Sequence, residues 1–260
     1  LMPKAAPRRT ETESRVCSAR ACSGGTLSKL RTPFTGQGLT VTISSTIPVA
    51  RGLGSSAATS AAIVRALARH FGRPLSPAQV SELVYRAEVL QHGTPSGIDN
   101  SVVAFEQPVY FIRGQPIEYL RVGAPLHLVI ADTGITSATK EAVGAVRAAW
   151  ERDRARFDGL FDEIGDIARE ARCAIEEGEE EQLGRLMDAN HRLLQAIEVS
   201  SPELDRLVEA ARSAGALGAK LSGGGQGGNM IALVRAGTQE LVVDTLRRAD
   251  AEGVMVTKVF

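Results

Sequence analysis

The stretch E-V-L-Q-H-G-T-P-S-G-I-D-N, residues 88–100, joins the end of a helical pattern to a turn rich in glycine, proline and hydroxyl residues. Glu88 and His92 are four residues apart, so a helix would place them on one face. The turn ends at Asp99, and a carboxylate held by a rigid turn beside a phosphate site would be a suitable base for a hydroxyl nucleophile. Taken alone, a helix-surface pair and an ordinary turn residue would be the better interpretation.

Upstream, P-V-A-R-G-L-G-S-S-A at residues 48–57 lies between a predicted strand that begins at Leu39 and a helical pattern that ends before Gly72. Glycines let the backbone approach a ligand closely, and the free N–H groups at a helix start favour anions. The stretch has no G-x-x-x-x-G-K-[ST] pattern, which excludes a P-loop of the Walker type. A glycine turn before a helix is more often structural, but the double serine after G-L-G favours a phosphate site.

Downstream, L-S-G-G-G-Q-G-G-N at residues 221–229 places five glycines in six positions between two apolar runs. Such a segment is costly to order. It is therefore either a flexible hairpin loop or a place where the backbone meets a ligand closely, and the residues alone favour neither.

The second predicted helix has the clearest start. Ser76 and Gln79 form the two ends of a capping box, and the residues predicted on the buried side of the helix that follows are Val80, Leu83, Val84, Ala87 and Leu90. Later apolar patterns predict strands over 109–112, 126–131, 219–222, 230–234 and 254–259. They also predict a helix over 139–157, further helices that continue to about residue 215, and a helix over 238–252. Strands that alternate with helices, with a helical insertion, indicate an α+β architecture.

Bulk properties narrow the classes of partner. The 260 residues carry 30 Lys+Arg and 30 Asp+Glu, so the net charge is zero and we expect no nucleic-acid or membrane partner. Three cysteines without a disulfide or metal-binding spacing favour free thiols, which indicates a cytoplasmic protein. Residues 1–38 combine arginines with Ser, Thr, Pro and Gly and little periodicity, so we expect a poorly ordered or non-native segment there. A targeting peptide is a weaker alternative.

The three motifs in this order resemble the mevalonate kinase branch of the GHMP kinases, with H-G-T-P-S-G-I-D-N as the most specific element. The stretches D-T-G-I at 132–135, N-H-R-L-L at 190–194 and V-S-S-P-E-L at 199–204 are similar to that branch too, so the resemblance covers residues 39–260. It implies a two-lobed GHMP kinase-like fold, with an N-terminal domain over 39–135 and a C-terminal, ferredoxin-like domain with a helical insertion over 136–260.

The resemblance also implies ATP-dependent phosphorylation of mevalonate to 5-phosphomevalonate in isoprenoid biosynthesis, with ATP and Mg²⁺ as cofactors. Asp99 would be catalytic, and Ser56 and Glu88 would bind the metal. The predicted nucleotide-binding residues are Pro48, Arg51, Gly52, Leu53, Gly54, Ser55, Ser56, Ala57, Gly223, Gly224 and Gly225. The predicted substrate-binding residues are His92, Gly93, Thr94, Ser96, Thr133 and Gly134.

One departure concerns the front of the chain. The family opens with a strand and an A-P-G-K…G-E-H segment that supplies a lysine near the catalytic aspartate, and residues 1–38 contain no such segment. We therefore expect an incomplete N-terminal lobe and an impaired enzyme. An inactive remnant and a GHMP kinase for phosphomevalonate or homoserine are the alternatives, and a homodimer is left open.

Overall fold

The computed structural model describes residues 17–21, 28–33, 40–45, 53–92, 95–136 and 139–260. In chain order the elements are β1 (Cys17–Ala21), β2 (Ser28–Pro33), β3 (Thr40–Ser45), α1 (Ser55–His70), α2 (Pro77–His92), α3 (Ile98–Phe105), β4 (Val109–Tyr110), β5 (Glu118–Tyr119), β6 (Leu126–Asp132), α4 (Thr139–Arg152), α5 (Arg154–Glu177), α6 (Glu180–Ala196), α7 (Pro202–Ser213), β7 (Gly218–Ser222), β8 (Asn229–Val234), α8 (Gln239–Arg248) and β9 (Gly253–Val259). The order confirms an α+β fold.

The first lobe pairs a small sheet with three helices. Its strands lie in the order β1-β3-β2, with β1 parallel and β2 antiparallel to β3. The helices share a core whose buried members are Ala57, Ala61, Val80, Val84 and Ala104. Small alanines at this contact let α1, α2 and α3 approach closely.

Two strands, β1 and β2, lie within the segment 1–38, and the prediction that this segment as a whole is poorly ordered or non-native stays a prediction. Strands β1 and β2 occupy eleven of those residues and pair with β3 on both sides. A strand without neighbours would leave rows of backbone donors and acceptors unpaired. Pairing with β3 satisfies these groups through the backbone, so it needs no alternating pattern of apolar side chains.

Helix α2 begins as predicted. The Ser76 amide donates to Gln79 Oε1 at 2.9 Å, and the Gln79 amide donates to Ser76 Oγ at 3.3 Å, which is the reciprocal capping box. Val80 is buried as predicted, but Leu83 is 40% exposed and Leu90 is 89% exposed. The buried stripe of α2 is narrower than predicted, and in the described part of the chain its main packing partners are α1 and α3.

The second lobe is built on an antiparallel sheet with the strand order β7-β8-β6-β9. Helices α7 and α8 cover the core, in which Leu204, Leu207, Leu221, Met230 and Leu246 are fully or almost fully buried. The predicted single helix over 139–157 is two helices. Asp153 separates them, and its side chain accepts a hydrogen bond from the Arg156 amide at 3.3 Å as the N-cap of α5.

Helix α6 lies against β7 at a contact that only glycine permits. A Cβ on Gly218 would lie 2.0 Å from the Gly184 carbonyl oxygen, and a Cβ on Gly184 would lie 2.3 Å from the Leu217 oxygen. Any side chain at either position would push the helix away from the strand. This close approach brings side chains of α6 to the outer edge of β7. None of the helices in the described part of the chain is long and apolar enough to span a bilayer.

Candidate active site

The N-terminus of α1 lies where the sequence predicts an anion site. Its N-cap is Gly54, which has a left-handed backbone with φ 66° and no side chain of its own to cap the helix. Ser55, Ser56 and Ala57 form the first turn, whose amides have no acceptor within the helix. Together with the helix dipole, such a helix start favours a phosphate group. Ala57 is fully buried and anchors this turn in the core of the first lobe.

Ser56 and Glu88 meet across α1 and α2. Ser56 Oγ donates to Glu88 Oε1 at 2.5 Å, and Glu88 is only 5% exposed. Ligands of an octahedral Mg²⁺ at about 2.1 Å have neighbouring oxygens about 3 Å apart. The 2.5 Å separation of the two oxygens is close to that spacing, and their role as metal ligands stays a prediction. Hard oxygen donors of this kind suit Mg²⁺.

Asp99 lies beside the same helix start. A Cβ built on Gly54 would be 3.7 Å from Asp99 Cγ and 3.8 Å from Asp99 Oδ1, so the carboxylate rests on the glycine backbone two residues from Ser56. The structure corrects one detail, because Asp99 stands in the first turn of α3 and not at the end of a turn. A side chain larger than hydrogen at Gly54 would fill the space between the carboxylate and the anion site.

Helix α3 is held at both sides of Asp99. Gly97 is the N-cap with φ 93°, and its oxygen accepts a 2.6 Å hydrogen bond from Ser101 Oγ. Asn100 Nδ2 donates to Ser81 Oγ at 2.9 Å, which ties α3 to α2. The predicted substrate residue Ser96 accepts a hydrogen bond from the Ile98 amide at 3.3 Å through its hydroxyl. Its observed contact therefore shapes the turn, and its role towards a substrate stays a prediction.

The hairpin β4–β5 links α3 to the second lobe. Phe111, next to β4, would be 3.2 Å from a Cβ on Gly97. On the other side, the Arg172 guanidinium of α5 lies 4.6 Å from the ring centre of Tyr110 and donates to Glu118 at 2.8 Å. The Glu118 carboxylate raises the pKa of Arg172. The helix that carries Asp99 is thus connected to α5 through this hairpin.

The glycine-rich loop over 223–228 has a backbone that most side chains disfavour. Gly223, Gly225, Gly227 and Gly228 have φ values of 95°, 79°, 125° and 75°, and Gln226 also has a positive φ of 57°. Gly225 is buried, and a Cβ there would lie 2.0 Å from the Val199 oxygen. The loop is therefore a specific, closely packed structure and not an open hairpin.

Thr133 and Gly134 lie against this loop at the end of β6. The Thr133 amide and hydroxyl both donate to the Gly228 oxygen at 2.9 Å, and the Gly228 amide donates to the Ile135 oxygen at 2.9 Å. The Gly134 amide donates to Asp132 Oδ1 at 2.8 Å. The structure thus brings together two predicted substrate residues and the predicted nucleotide loop.

Within the described part, the predicted residues form two groups. Leu53, Gly54, Ser55, Ser56, Ala57, Glu88 and Asp99 gather around the start of α1, and Thr133, Gly134, Gly223, Gly224 and Gly225 gather around the glycine-rich loop. Pro48, Arg51, Gly52, Gly93, Thr94 and the side chain of His92 lie outside the described residues, and their predicted roles stay predictions.

Sequence reasoning missed a buried polar cluster beneath the loop. His191 is 1% exposed and lies 3.1 Å from Asp205, which also accepts from Ser200 Oγ at 2.5 Å. Burial lowers the pKa of His191, the Asp205 charge raises it, and the Arg212 and Lys220 charges lower it further. Burial also lowers the pKa of the half-buried Lys220 to about 8. The sequence signal for this cluster was the pair of stretches N-H-R-L-L and V-S-S-P-E-L, which were noted as similar to the family but were given no function.

Comparison with known proteins gives matches in both lobes of the chain. The family model for the GHMP kinases N terminal domain matches residues 20–107, and that for the GHMP kinases C terminal matches residues 171–252. The chain is 42% identical to the mevalonate kinase of Thermococcus sibiricus over 202 residues, covering 76% of the chain and 60% of the relative. It is 36% identical to that of Pyrococcus horikoshii over 237 residues, covering 85% and 70%.

A crystal structure of L. major mevalonate kinase in complex with R-mevalonate superposes with a TM-score of 0.79 at 31% identity, covering 85% of this chain and 69% of that one. The first match begins at residue 20, so the resemblance reaches further towards the N-terminus than the predicted residue 39. The chain spans 60% of the length of the Thermococcus relative.

Proposed function

Because the chain belongs to the GHMP kinase family, we propose that it transfers the γ-phosphate of ATP to the 5-hydroxyl of mevalonate, giving 5-phosphomevalonate and ADP. The relatives named mevalonate kinase support this substrate. We further propose that the enzyme requires Mg²⁺ and works in isoprenoid synthesis, a branch of lipid metabolism, in the cytoplasm.

One observation carries the proposal. The Asp99 carboxylate lies on Gly54, at the start of a helix whose Ser56 is hydrogen-bonded to the buried Glu88. An anion site, a pair of oxygen ligands and an exposed carboxylate are therefore within a few residues of each other. Phosphoryl transfer depends mainly on positioning and charge neutralisation, and these three parts supply both.

Each part of the site has its own proposed role in phosphoryl transfer. The amides at the start of α1 bind the transferred phosphate and keep it beside Asp99. Asp99 takes the proton of the mevalonate hydroxyl as the hydroxyl oxygen forms its bond to the γ-phosphorus, and the bond from phosphorus to the β–γ bridging oxygen breaks to release ADP. Ser56 and Glu88 would hold Mg²⁺, which neutralises charge on the phosphate oxygens when bound.

The residues around the glycine-rich loop are assigned to the nucleotide phosphates and to the substrate. The backbone of the glycine-rich loop, which has few side chains, can approach phosphates closely. Thr133 and Gly134 are fastened to that loop, so a substrate that contacts them would also be positioned relative to the nucleotide. We propose that both lobes contribute to one site.

The test is a coupled ADP-release assay on the purified chain with mevalonate, phosphomevalonate or homoserine. We expect ADP release with mevalonate, slow if the enzyme is impaired as its sequence predicts, and a further loss of at least ~100-fold in Asp99→Asn. Glu240→Gln is the matched control, since Glu240 is an exposed carboxylate in the first turn of α8. Turnover of another substrate alone would contradict the mevalonate assignment, and no turnover of any would favour the inactive remnant.

A further inference from the structure

Side chains of α6 accept hydrogen bonds from backbone amides on the outer edge of β7. β7 is an edge strand of its sheet. The Ala219 amide donates to Asp188 Oδ1 at 2.9 Å, and the Leu221 amide donates to His191 Nδ1 at 3.3 Å. Asp188 and His191 are three residues apart and therefore lie on one face of the helix. The helix thus fixes the strand that leads directly into the glycine-rich loop.

The contacts of His191 determine its tautomer. A backbone amide can only donate, so Nδ1, which faces the Leu221 amide, carries the lone pair. Nε2 therefore carries the proton and donates to Asp205 Oδ1 at 3.1 Å. Ser200 Oγ donates to the same carboxylate oxygen at 2.5 Å. One buried imidazole consequently connects β7 to the turn that contains Ser200.

That turn holds the other side of the loop. The Gln226 amide donates to the Val199 oxygen at 2.8 Å, and Gln226 Nε2 donates to the Glu198 oxygen at 2.7 Å and to the Ser200 oxygen at 3.4 Å. Glu198 and Gln226 both have a positive φ, of 64° and 57°. Strained backbone of this kind persists only where its surroundings hold it in place.

We propose that His191, Asp205 and Ser200 form a positioning network that holds the glycine-rich loop in its nucleotide-binding conformation. His191 fixes the strand that enters the loop, and Asp205 and Ser200 fix the turn that contacts its tip. The three residues act through the loop and not on the reacting atoms. The assignment to nucleotide binding rests on the proposed kinase function.

The test compares Ser200→Ala, Asp205→Ala and Asp205→Asn in the full chain. An asparagine oxygen can still accept from both His191 and Ser200, so Asp205→Asn is the conservative variant. Leu246→Ala is the matched control for lost stability, because Leu246 is fully buried in the same lobe and has no place in the proposed network. Amide hydrogen exchange of peptides covering 221–230 reports the loop directly, and KM for ATP and kcat report its use.

We expect Ser200→Ala and Asp205→Ala to speed loop exchange and raise KM for ATP by about fivefold, which is the equilibrium effect of one lost hydrogen bond. We expect kcat to change less than threefold and Asp205→Asn to restore both values. If the alanine variants accelerate loop exchange no more than Leu246→Ala does, or if Asp205→Asn does not restore it, the network is merely structural and the proposal is wrong. A parent chain without ATP turnover would count against the kinase function, while loop exchange would still decide whether the network holds the loop.

Discussion

Alanine at Gly225 tests how closely the glycine-rich loop is packed. Gly225 has φ 79°, and a Cβ there would lie 2.0 Å from the Val199 oxygen. Real contacts of this type are longer than 3 Å, so the loop would have to move by about 1 Å or more to accept the methyl group. The neighbouring hydrogen bond from the Gln226 amide to Val199, at 2.8 Å, would be stretched or broken by that movement.

The expected loss has two parts. A left-handed backbone costs a residue with a Cβ about 1–2 kcal/mol, and the lost hydrogen bond adds about 1 kcal/mol. Gly72→Ala is the matched control, because Gly72 has φ 63° and no atom of the described residues lies within 4 Å of its built Cβ. It should lose only the first part. Gly225→Ala should therefore be less stable than Gly72→Ala by about 1 kcal/mol or more.

Urea denaturation of both variants measures this difference. For a slope of about 2–3 kcal/mol/M, 1 kcal/mol separates the two midpoints by about 0.3–0.5 M. The slopes should be equal, so that the midpoints can be compared directly. Equal midpoints for Gly225→Ala and Gly72→Ala would refute the close packing of the loop against Val199.

Three further predictions concern the site and its support. Asp99→Asn should lower kcat by at least ~100-fold and change ATP binding by no more than a few-fold, as measured by titration with ATP; a kcat near that of the parent would remove Asp99 from the catalytic role. Ser56→Ala and Glu88→Gln should each raise the Mg²⁺ concentration for half-maximal activity by at least ~10-fold, and an unchanged Mg²⁺ requirement would contradict their assignment as ligands. Burial lowers the pKa of His191, so the unfolded chain binds a proton below about pH 6.5 that the folded chain resists. The free energy of unfolding should therefore fall as the pH is lowered through this range, and less so in His191→Gln, as urea midpoints at pH 5–8 would show.

The sequence predicted well those features that depend on the type and spacing of a few residues. The capping box of Ser76 and Gln79 is confirmed because both hydrogen bonds form within one helix turn. Ser56 and Glu88, which the motifs predicted as partners, are hydrogen-bonded to each other, while their metal-binding role stays a prediction. In both cases the type and spacing of the residues made the pair recognisable in the sequence.

Elements that depend on a partner elsewhere in the chain were predicted less well. β1 and β2 have little apolar alternation, and their position follows from backbone pairing with β3. Similarly, the wide apolar stripe predicted for α2 includes Leu90, which is 89% exposed. Periodicity indicates which face of a helix is apolar, but the neighbours decide how much of that face is covered.

The polar cluster beneath the loop shows why some supporting residues escape sequence reasoning. An edge strand needs acceptors for its outward amides, and here Leu221 finds one on His191, which is 30 residues earlier in the chain. That contact requires α6 to lie directly against β7, which in turn requires glycine at both 184 and 218. A histidine in a helix and two isolated glycines predict nothing separately. Together they let one buried imidazole join a strand to the turn that holds the loop, and this joint role can be recognised only from the fold.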